Sequence, residues 1–288
     1  MEKRRWIWGY IFVLPFLCFL SLFLIYPLIR TFYLSLFEKT LFTTTFIGLD
    51  HFFNLFTDSF FLMALENTVY FAVIIVPITV IVPLIFAAML RNMHRHTKSF
   101  FRLVFYLPVV TTSIVLVFVW IWMYDMNFGI INYFLGLFNL GPVNFFGSQF
   151  TALLSTSNVV ITWMIGQPLI LYMAGVDNVP EELYESAKID GANFLQIFFK
   201  VTVPMVINTT LLIVVTSTIA VFQIFVVIYL MTHGGPYHGT DTLVFSIYNS
   251  AFETGPYFGQ AAAESVVLFI LIAIVAWVEF KLLKSKLD

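Results

Sequence analysis

Long apolar stretches without a single charge alternate along this chain with short segments that hold nearly all of its charged residues. A helix crossing the roughly 30 Å hydrocarbon core of a bilayer needs about 20 apolar residues, and a charge inside that core is costly. Charge-free windows therefore predict spans. Trp6–Ile29, Asn67–Leu90 and Leu103–Tyr124 are three clear windows. The next, Met126–Val176, is too long for one helix. Its first part, rich in Asn, Gly and Pro (Asn127, Gly129, Asn139, Gly141, Pro142, Asn144, Gly147), reads as loop with short turns. Its second part, Ala152–Gly175, is a fourth span interrupted by Pro168. Met205–Met231 is a fifth, and Ala261–Phe280, with Glu264 and Glu279 near its ends, is a sixth. The expected fold class is all-α integral membrane, with a single transmembrane domain of six helices over residues 1–288.

Basic residues orient the spans, because loops on the cytoplasmic side collect Lys and Arg. With both termini cytoplasmic, the inner segments hold twelve of the fourteen Lys and Arg residues. These are Lys3, Arg4 and Arg5, then Arg91, Arg95, Lys98 and Arg102, then Lys188 and Lys200, and finally Lys281, Lys284 and Lys286; only Arg30 and Lys39 fall elsewhere. Trp6, Trp8, Trp120 and Trp122 suit aromatic anchoring at the interfaces. The first window resembles a signal peptide in its basic start, but its apolar run is too long and lacks a small-residue cleavage site. It is expected to remain as an anchor.

Composition agrees and removes several function classes. The chain is 60% hydrophobic and 10% charged, too poor in charge to cover a water-facing surface. A net charge of −2 argues against a nucleic-acid partner. One cysteine, Cys18, excludes an internal disulfide and a cysteine metal cluster. The five histidines form no H-E-x-x-H pair and sit in loops.

One connection, Asp177–Pro204, is more than a linker. Pro180 suits a helix start, and Glu181 and Glu182 suit its positive end. Leu183 and Ala187 recur at helical spacing, and Asp190-Gly191 ends the pattern, glycine being free to take the left-handed conformation. A second helix follows with Phe194, Ile197, Phe198 and Val201 as an apolar stripe, and Pro204 separates it from the fifth span. An amphipathic hairpin on lipid headgroups is the other reading; Glu181, Glu182 and Glu185 would be repelled by anionic lipid.

The run Glu181-Glu182-Leu183-Tyr184-Glu185-Ser186-Ala187-Lys188-Ile189-Asp190-Gly191-Ala192, continued to Val203-Pro204, resembles the EAA loop of ABC importer permeases of the type I fold. Within them it is similar to the carbohydrate (sugar and glycerol-phosphate) branch, the maltose-permease-like members. Tyr26-Pro27-Leu28, Ile47-Gly48-Leu49-Asp50-His51-Phe52, Phe105-Tyr106-Leu107-Pro108, Asn127-Phe128-Gly129 and Gly234-Gly235-Pro236 extend the likeness. Ser186 replaces the more usual alanine, and His233 stands where a third glycine is common. The resemblance implies a permease in the cytoplasmic (inner) membrane of a bacterium or archaeon. It moves a carbohydrate inward by alternating access, driven through Glu181, Glu182, Glu185, Ser186, Ala187, Asp190, Gly191, Ala192 and Pro204. The implied partners are a dimer of cytoplasmic ATPase subunits, which use ATP and Mg, a second similar permease, and an extracytoplasmic solute-binding protein. This chain has no G-x-x-x-x-G-K-[ST] loop, so no phosphate cradle and no cofactor of its own are expected.

Polar side chains at membrane depth point to a pathway or to contacts between helices. Gln167 beside Pro168, Asn208, Gln223 and Glu264 are the candidates. Gln223, flanked by Phe222 and Phe225 on the fifth span, offers an amide beside aromatic faces, which suits a sugar. Where many sugar permeases carry an acidic residue, this chain has Val226. Glu264, near the outer end of its span, is expected to reach headgroup water. An ion-coupled transporter or channel is the alternative; it would want inverted repeats or paired intramembrane charges, and none is visible. An intramembrane enzyme would need a convergent catalytic set.

Overall fold

The computed structural model describes residues 12–39 and 43–284, so Lys3, Arg4, Arg5, Trp6, Trp8 and Lys286 lie outside the described residues. Helices dominate: α1 (Phe12–Leu34), α2 (Asp50–Leu55), α3 (Ser59–Leu90), α4 (Arg95–Val110), α5 (Ser113–Met123), α6 (Ile130–Leu137), α7 (Gln149–Met164), α8 (Gly166–Asp177), α9 (Glu181–Ile189), α10 (Phe194–Met205), α11 (Ile207–Phe222), α12 (Val226–Met231), α13 (Leu243–Tyr248) and α14 (Phe258–Lys284). A short antiparallel ribbon pairs β1 (Phe37–Lys39) with β2 (Thr44–Phe46), Phe37 opposite Phe46. Contacts divide the chain into two compact units. One comprises the residues up to Ser59 with Ser246–Ile270, and the other comprises Phe60–Phe245 with the chain from Leu271 onward.

In the first unit, α1 fully buries none of its apolar side chains, and Phe32 meets the Phe269 ring of α14 edge-on at 5.9 Å. Glu264 departs from expectation. It does not reach headgroup water; it is 1% exposed. Its carboxylate accepts hydrogen bonds from Ser246 and Ser250 at 2.8 Å each and from Gln260 at 3.3 Å. Ser246 and Ser250 lie four apart, on α13 and the π-helical turn Asn249–Glu253 that prolongs it. Successive turns thus present both hydroxyls to one carboxylate, and a buried charge is tolerable only with such partners.

The second unit holds the long helix α3 and three bent helix pairs. The single third span expected over Leu103–Tyr124 is two helices, α4 and α5, meeting at 101°. Thr111 and Thr112 take extended conformations there, and the Thr111 hydroxyl donates to the Leu107 carbonyl at 2.9 Å. A β-branched residue with a competing donor at the helix end turns the chain out of the helical ladder. The fourth span bends by 46° at Ile165, between α7 and α8. Pro168, one turn on, has no N–H for the Met164 carbonyl, so the break falls ahead of the proline.

The fifth span is not the continuous helix expected over Met205–Met231. Helical turns run through Pro204, so that residue does not separate the 177–204 hairpin from the span; the 72° bend falls at Val206, between α10 and α11. A second interruption, Gln223–Phe225, separates α11 from α12. The Thr242 hydroxyl donates to the Ile224 carbonyl at 2.9 Å, taking up an acceptor that the break exposes. The stretch expected as loop after the third span contains α6. Asn132 organises it, donating to the Asp125 and Val143 carbonyls and accepting from the Val143 N–H at 2.8 Å. Asp125 accepts from the backbone of Phe128 and Asn127, which holds its carboxyl below the usual range. Glu279, near the end of α14, accepts from Thr218 at 2.7 Å.

Gly166 opens α8 against α4. A Cβ there would lie 2.1 Å from the Phe105 carbonyl oxygen and 2.7 Å from a Val109 methyl. Gly166→Ala should therefore cost about 1–3 kcal/mol of overpacking, read as a lower thermal unfolding midpoint of the purified protein. An unchanged midpoint would show that α4 and α8 are not packed this closely.

Candidate functional site

The connection singled out in the sequence folds as two helices around a closed turn. Pro180 caps α9, and Glu181 and Glu182 occupy its first turn. Its C-terminus closes with the Ala192 N–H on the Ala187 carbonyl at 2.9 Å and the Gly191 N–H on the Lys188 carbonyl at 3.0 Å. Gly191 has φ +77°. This is the Schellman arrangement, which needs a residue at ease in the left-handed region and brings the side chains at the Ala187 and Ala192 positions together. The alanines and the glycine are thus explained by one turn. Immediately after it, Asn193 and Gln196 form a reciprocal capping box, each side chain bonding the other's backbone N–H at 2.9 Å. That signature was present in the sequence as an Asn-x-x-Gln spacing and was not used in placing the second helix. Ser186 returns its hydroxyl to the Glu182 carbonyl at 2.7 Å, so serine does not disturb the helix where alanine is usual.

Of the predicted apolar stripe, Phe198 is buried and Ile197 and Val201 are half-buried, whereas Phe194 is exposed. At the tip, Ile189 is 86% exposed, with Leu195 and Phe199 also open. Glu182, Glu185 and Asp190 are exposed beside them. The surface is a mixed apolar and acidic knob.

Its root is fixed by residues that the sequence did not single out. Tyr184 is 2% exposed and its hydroxyl lies 3.3 Å from that of Thr202. The Arg91 guanidinium sits 3.3 Å over the Tyr184 ring and also pairs with Glu181. Lys98 and Arg102 reach Asp177 at 3.2 and 3.7 Å. Glu181, placed by motif among the residues facing a partner, is thus engaged within its own chain. The cluster around Tyr184, Phe198, Val206 and Leu90 continues the contact into apolar packing.

Two adjoining cavities lie among the bent helices. One, about 150 Å³, is lined by Gln167, Pro168, Thr216, Ser217 and Trp163. The other, about 230 Å³, is lined by Ser113, Gln223, Phe225, Val226 and Trp163. Trp163 and Ala220 border both. Gln167, Gln223 and Phe225 are therefore gathered around one tryptophan. Phe222 is not among them: it is 3% exposed and lines neither cavity, because the break at Gln223 turns its side chain into the packing. Asn208 is exposed in the first turn of α11 and lines neither cavity. Trp163 was missed, although it lies four residues before Gln167, where side chains share a helix face. Among the described residues, no group of three or more His, Cys, Asp or Glu side chains could hold a metal ion.

The profile of a family described as "Binding-protein-dependent transport system inner membrane component" matches residues 68–284. A probable ABC transporter permease protein, YurN of Bacillus subtilis, is 35% identical over 99% of each chain. The lactose transport system permease protein LacF of Rhizobium radiobacter is 33% identical, over 94% of this chain and 92% of its own. The sn-glycerol-3-phosphate transport system permease protein UgpA of Escherichia coli is 31% identical, over 99% and 96%. Among solved structures, a chain of a bacterial ABC transporter that imports the acidic polysaccharide alginate superposes with a TM-score of 0.86 at 22% identity, covering 98% of this chain and 96% of that one. That similarity establishes the fold.

The contacts of Arg91 rank the supports of the knob. A partly desolvated cation–π contact contributes ~0.5–2 kcal/mol, and an ion pair to an exposed carboxylate about 0–1 kcal/mol. Arg91→Ala should therefore speed amide hydrogen exchange in α9 by about tenfold, and Glu181→Ala by no more than about fivefold. Equal effects in an exchange experiment would place the anchoring in the ion pair alone.

Proposed function

This chain belongs to the family of binding-protein-dependent transport system inner membrane components, and from that premise we infer that it is the permease subunit of an ATP-driven importer. The solute is a carbohydrate, delivered by an extracytoplasmic binding protein and released into the cytoplasm. The observation that carries this reading of the solute is the pair of cavities bordered by Trp163, with an amide in each. Aromatic faces take up the apolar C–H faces of sugar rings, and the Gln167 and Gln223 amides offer both a donor and an acceptor to hydroxyls. The name of LacF, a lactose permease, supports the same solute class; the name of UgpA points to a phosphorylated polyol instead. Val226 leaves its cavity uncharged where many relatives carry an acid, which favours a neutral solute.

The proposed architecture is one transmembrane permease domain of six spans in the bacterial inner membrane, with both termini cytoplasmic. Three helices long and apolar enough to cross, together with three bent pairs, support that count, and the basic residues support the orientation. The loop 177–204 would then be cytoplasmic and would seat in a separate ATPase. Glu182, Glu185, Asp190, Ile189, Leu195 and Phe199 supply the contact, and Gly191, Ala187, Ala192 and Pro204 give the knob its shape. ATP and Mg belong to that ATPase dimer, and a second permease of the same family completes the pathway. Closure of the ATPase pair moves the knob, and the helix breaks at Thr111, Ile165 and Val206 let segments swing without losing backbone hydrogen bonds inside either.

Reconstitution with the binding protein and ATPase, scored by ATP-dependent uptake of labelled mono- and oligosaccharides and glycerol phosphate, tests the solute class; no uptake of any of them would overturn it. Gln167→Leu and Gln223→Leu should each raise the KM for the transported sugar by about tenfold, the loss of one hydrogen bond of ~1.4 kcal/mol. A Cβ at Gly191 meets no other atom of the chain within 4 Å, so a substitution there strains only the turn and whatever sits against it. Gly191→Asp should insert normally yet reduce uptake at least about tenfold and abolish stimulation of the ATPase. Normal uptake by that variant would refute coupling through this turn.

A further inference from the structure

A third cavity, about 520 Å³ in volume, lies away from the Trp163 groove and takes no part in the proposed transport cycle. It is bounded by the first turns of α3 (Met63, Glu66, Asn67, Tyr70), the start of α7 (Gln149, Phe150) and Gly239 of the loop before α13. Acceptors predominate among its polar groups. The Asn67 amide donates one N–H to the His238 carbonyl at 2.8 Å, and the Gln149 amide donates one N–H to the Tyr237 carbonyl at 2.9 Å. Those carbonyls can only accept, which fixes the orientation of both amides and leaves each with its oxygen and a second N–H. The Tyr70 hydroxyl spends its proton on one Glu66 oxygen at 2.7 Å. Glu66 has no cationic partner among the described residues, and its other carboxylate oxygen is left over. A carboxylate, two amides and a phenol oxygen therefore line a cavity whose one formal charge is the carboxylate of Glu66, while Met63, Phe150, Ile74 and Leu153 supply apolar wall.

We propose that this cavity binds a primary ammonium group carried on an apolar body. An ammonium has three N–H donors for the oxygens of Glu66, Tyr70 and the two amides, and its charge answers that of Glu66. The depth fits an aminolipid headgroup. α3 has 32 residues, about 48 Å of helix at 1.5 Å per residue, against roughly 30 Å of hydrocarbon. Arg91 and Arg95 mark the end of α3 opposite to Glu66. The surplus length places the first two turns, and Glu66 with them, at the level of the lipid headgroups. A soluble amine such as an amino sugar shares the ammonium but not the hydrocarbon.

The test uses the full-length permease in its assembled complex, reconstituted in nanodiscs containing phosphatidylethanolamine or phosphatidylcholine and released for native mass spectrometry. Phosphatidylethanolamine should be retained about tenfold better than phosphatidylcholine, whose quaternary nitrogen has no N–H, and Glu66→Gln should lose that preference. Glu66→Lys, which brings its own ammonium, should retain neither. Thermal stabilisation by glucosamine that vanishes in Glu66→Gln, with no lipid preference, would support the site and assign it to a soluble amine. Equal retention of the two lipids together with no glucosamine effect, or binding unchanged by Glu66→Gln, would overturn the proposal.

Discussion

Backbone N–H and C=O groups have no water to turn to in hydrocarbon, so each must be paired within the chain or face a wet cavity. That constraint makes the helices of this protein and decides where they are allowed to break. Three of the interruptions are accompanied by a local device. The Thr111 hydroxyl takes the Leu107 carbonyl, the Thr242 hydroxyl takes the Ile224 carbonyl, and the bend at Ile165 lies ahead of Pro168, which could not have donated. The breaks at Ile165 and Gln223 adjoin the cavities that share Trp163. Departure from helical regularity and the cavities beside Trp163 are thus one feature of the structure.

The knob at 177–204 follows a different logic, since it is a rigid object with an unsatisfied surface. Backbone closure at Ala187, Lys188, Gly191 and Ala192 fixes its turn, and the capping box at Asn193 and Gln196 fixes the helix after it. Arg91 ties the knob to the end of α3 through Tyr184 and Glu181. What remains exposed is Ile189, Leu195 and Phe199 beside acidic side chains. Exposed apolar residues on an otherwise well-capped element are the mark of a docking surface.

Polar groups along the helices divide into those that hold the fold and those that line space. Glu264 belongs to the first kind: three donors surround it, and no oxygen is left for a ligand. Thr218 holds one oxygen of Glu279, while the other is buried without a partner among the described residues. Gln167, Gln223 and Glu66 are exposed and belong to the other kind, with hydrogen-bonding capacity still open at a cavity. Residue type and depth alone do not separate the two, which is why Glu264 looked solvated and Phe222 looked like a pathway residue before their surroundings were known.

The sequence by itself determined the apolar windows, the break ahead of Pro168 and the turn at Gly191. Each depends on local chemistry: transfer of side chains from water, a missing N–H, and a backbone angle that glycine adopts without strain. The run from Glu181 to Ala192 also placed the two-helix loop, because its alanines, glycine and acids answer the needs of one short turn. Only the tertiary structure decided that Leu103–Tyr124 is two helices, that Gln223 sits in a gap with Phe222 turned away, that Trp163 joins two cavities, and that Arg91 covers Tyr184. Arg91 and Tyr184 are far apart in sequence, and Trp163 meets Gln223 only when α7 packs beside α12. Such pairings are set by packing between helices, and a pattern that repeats every 3.6 residues carries no record of which neighbour a helix will meet.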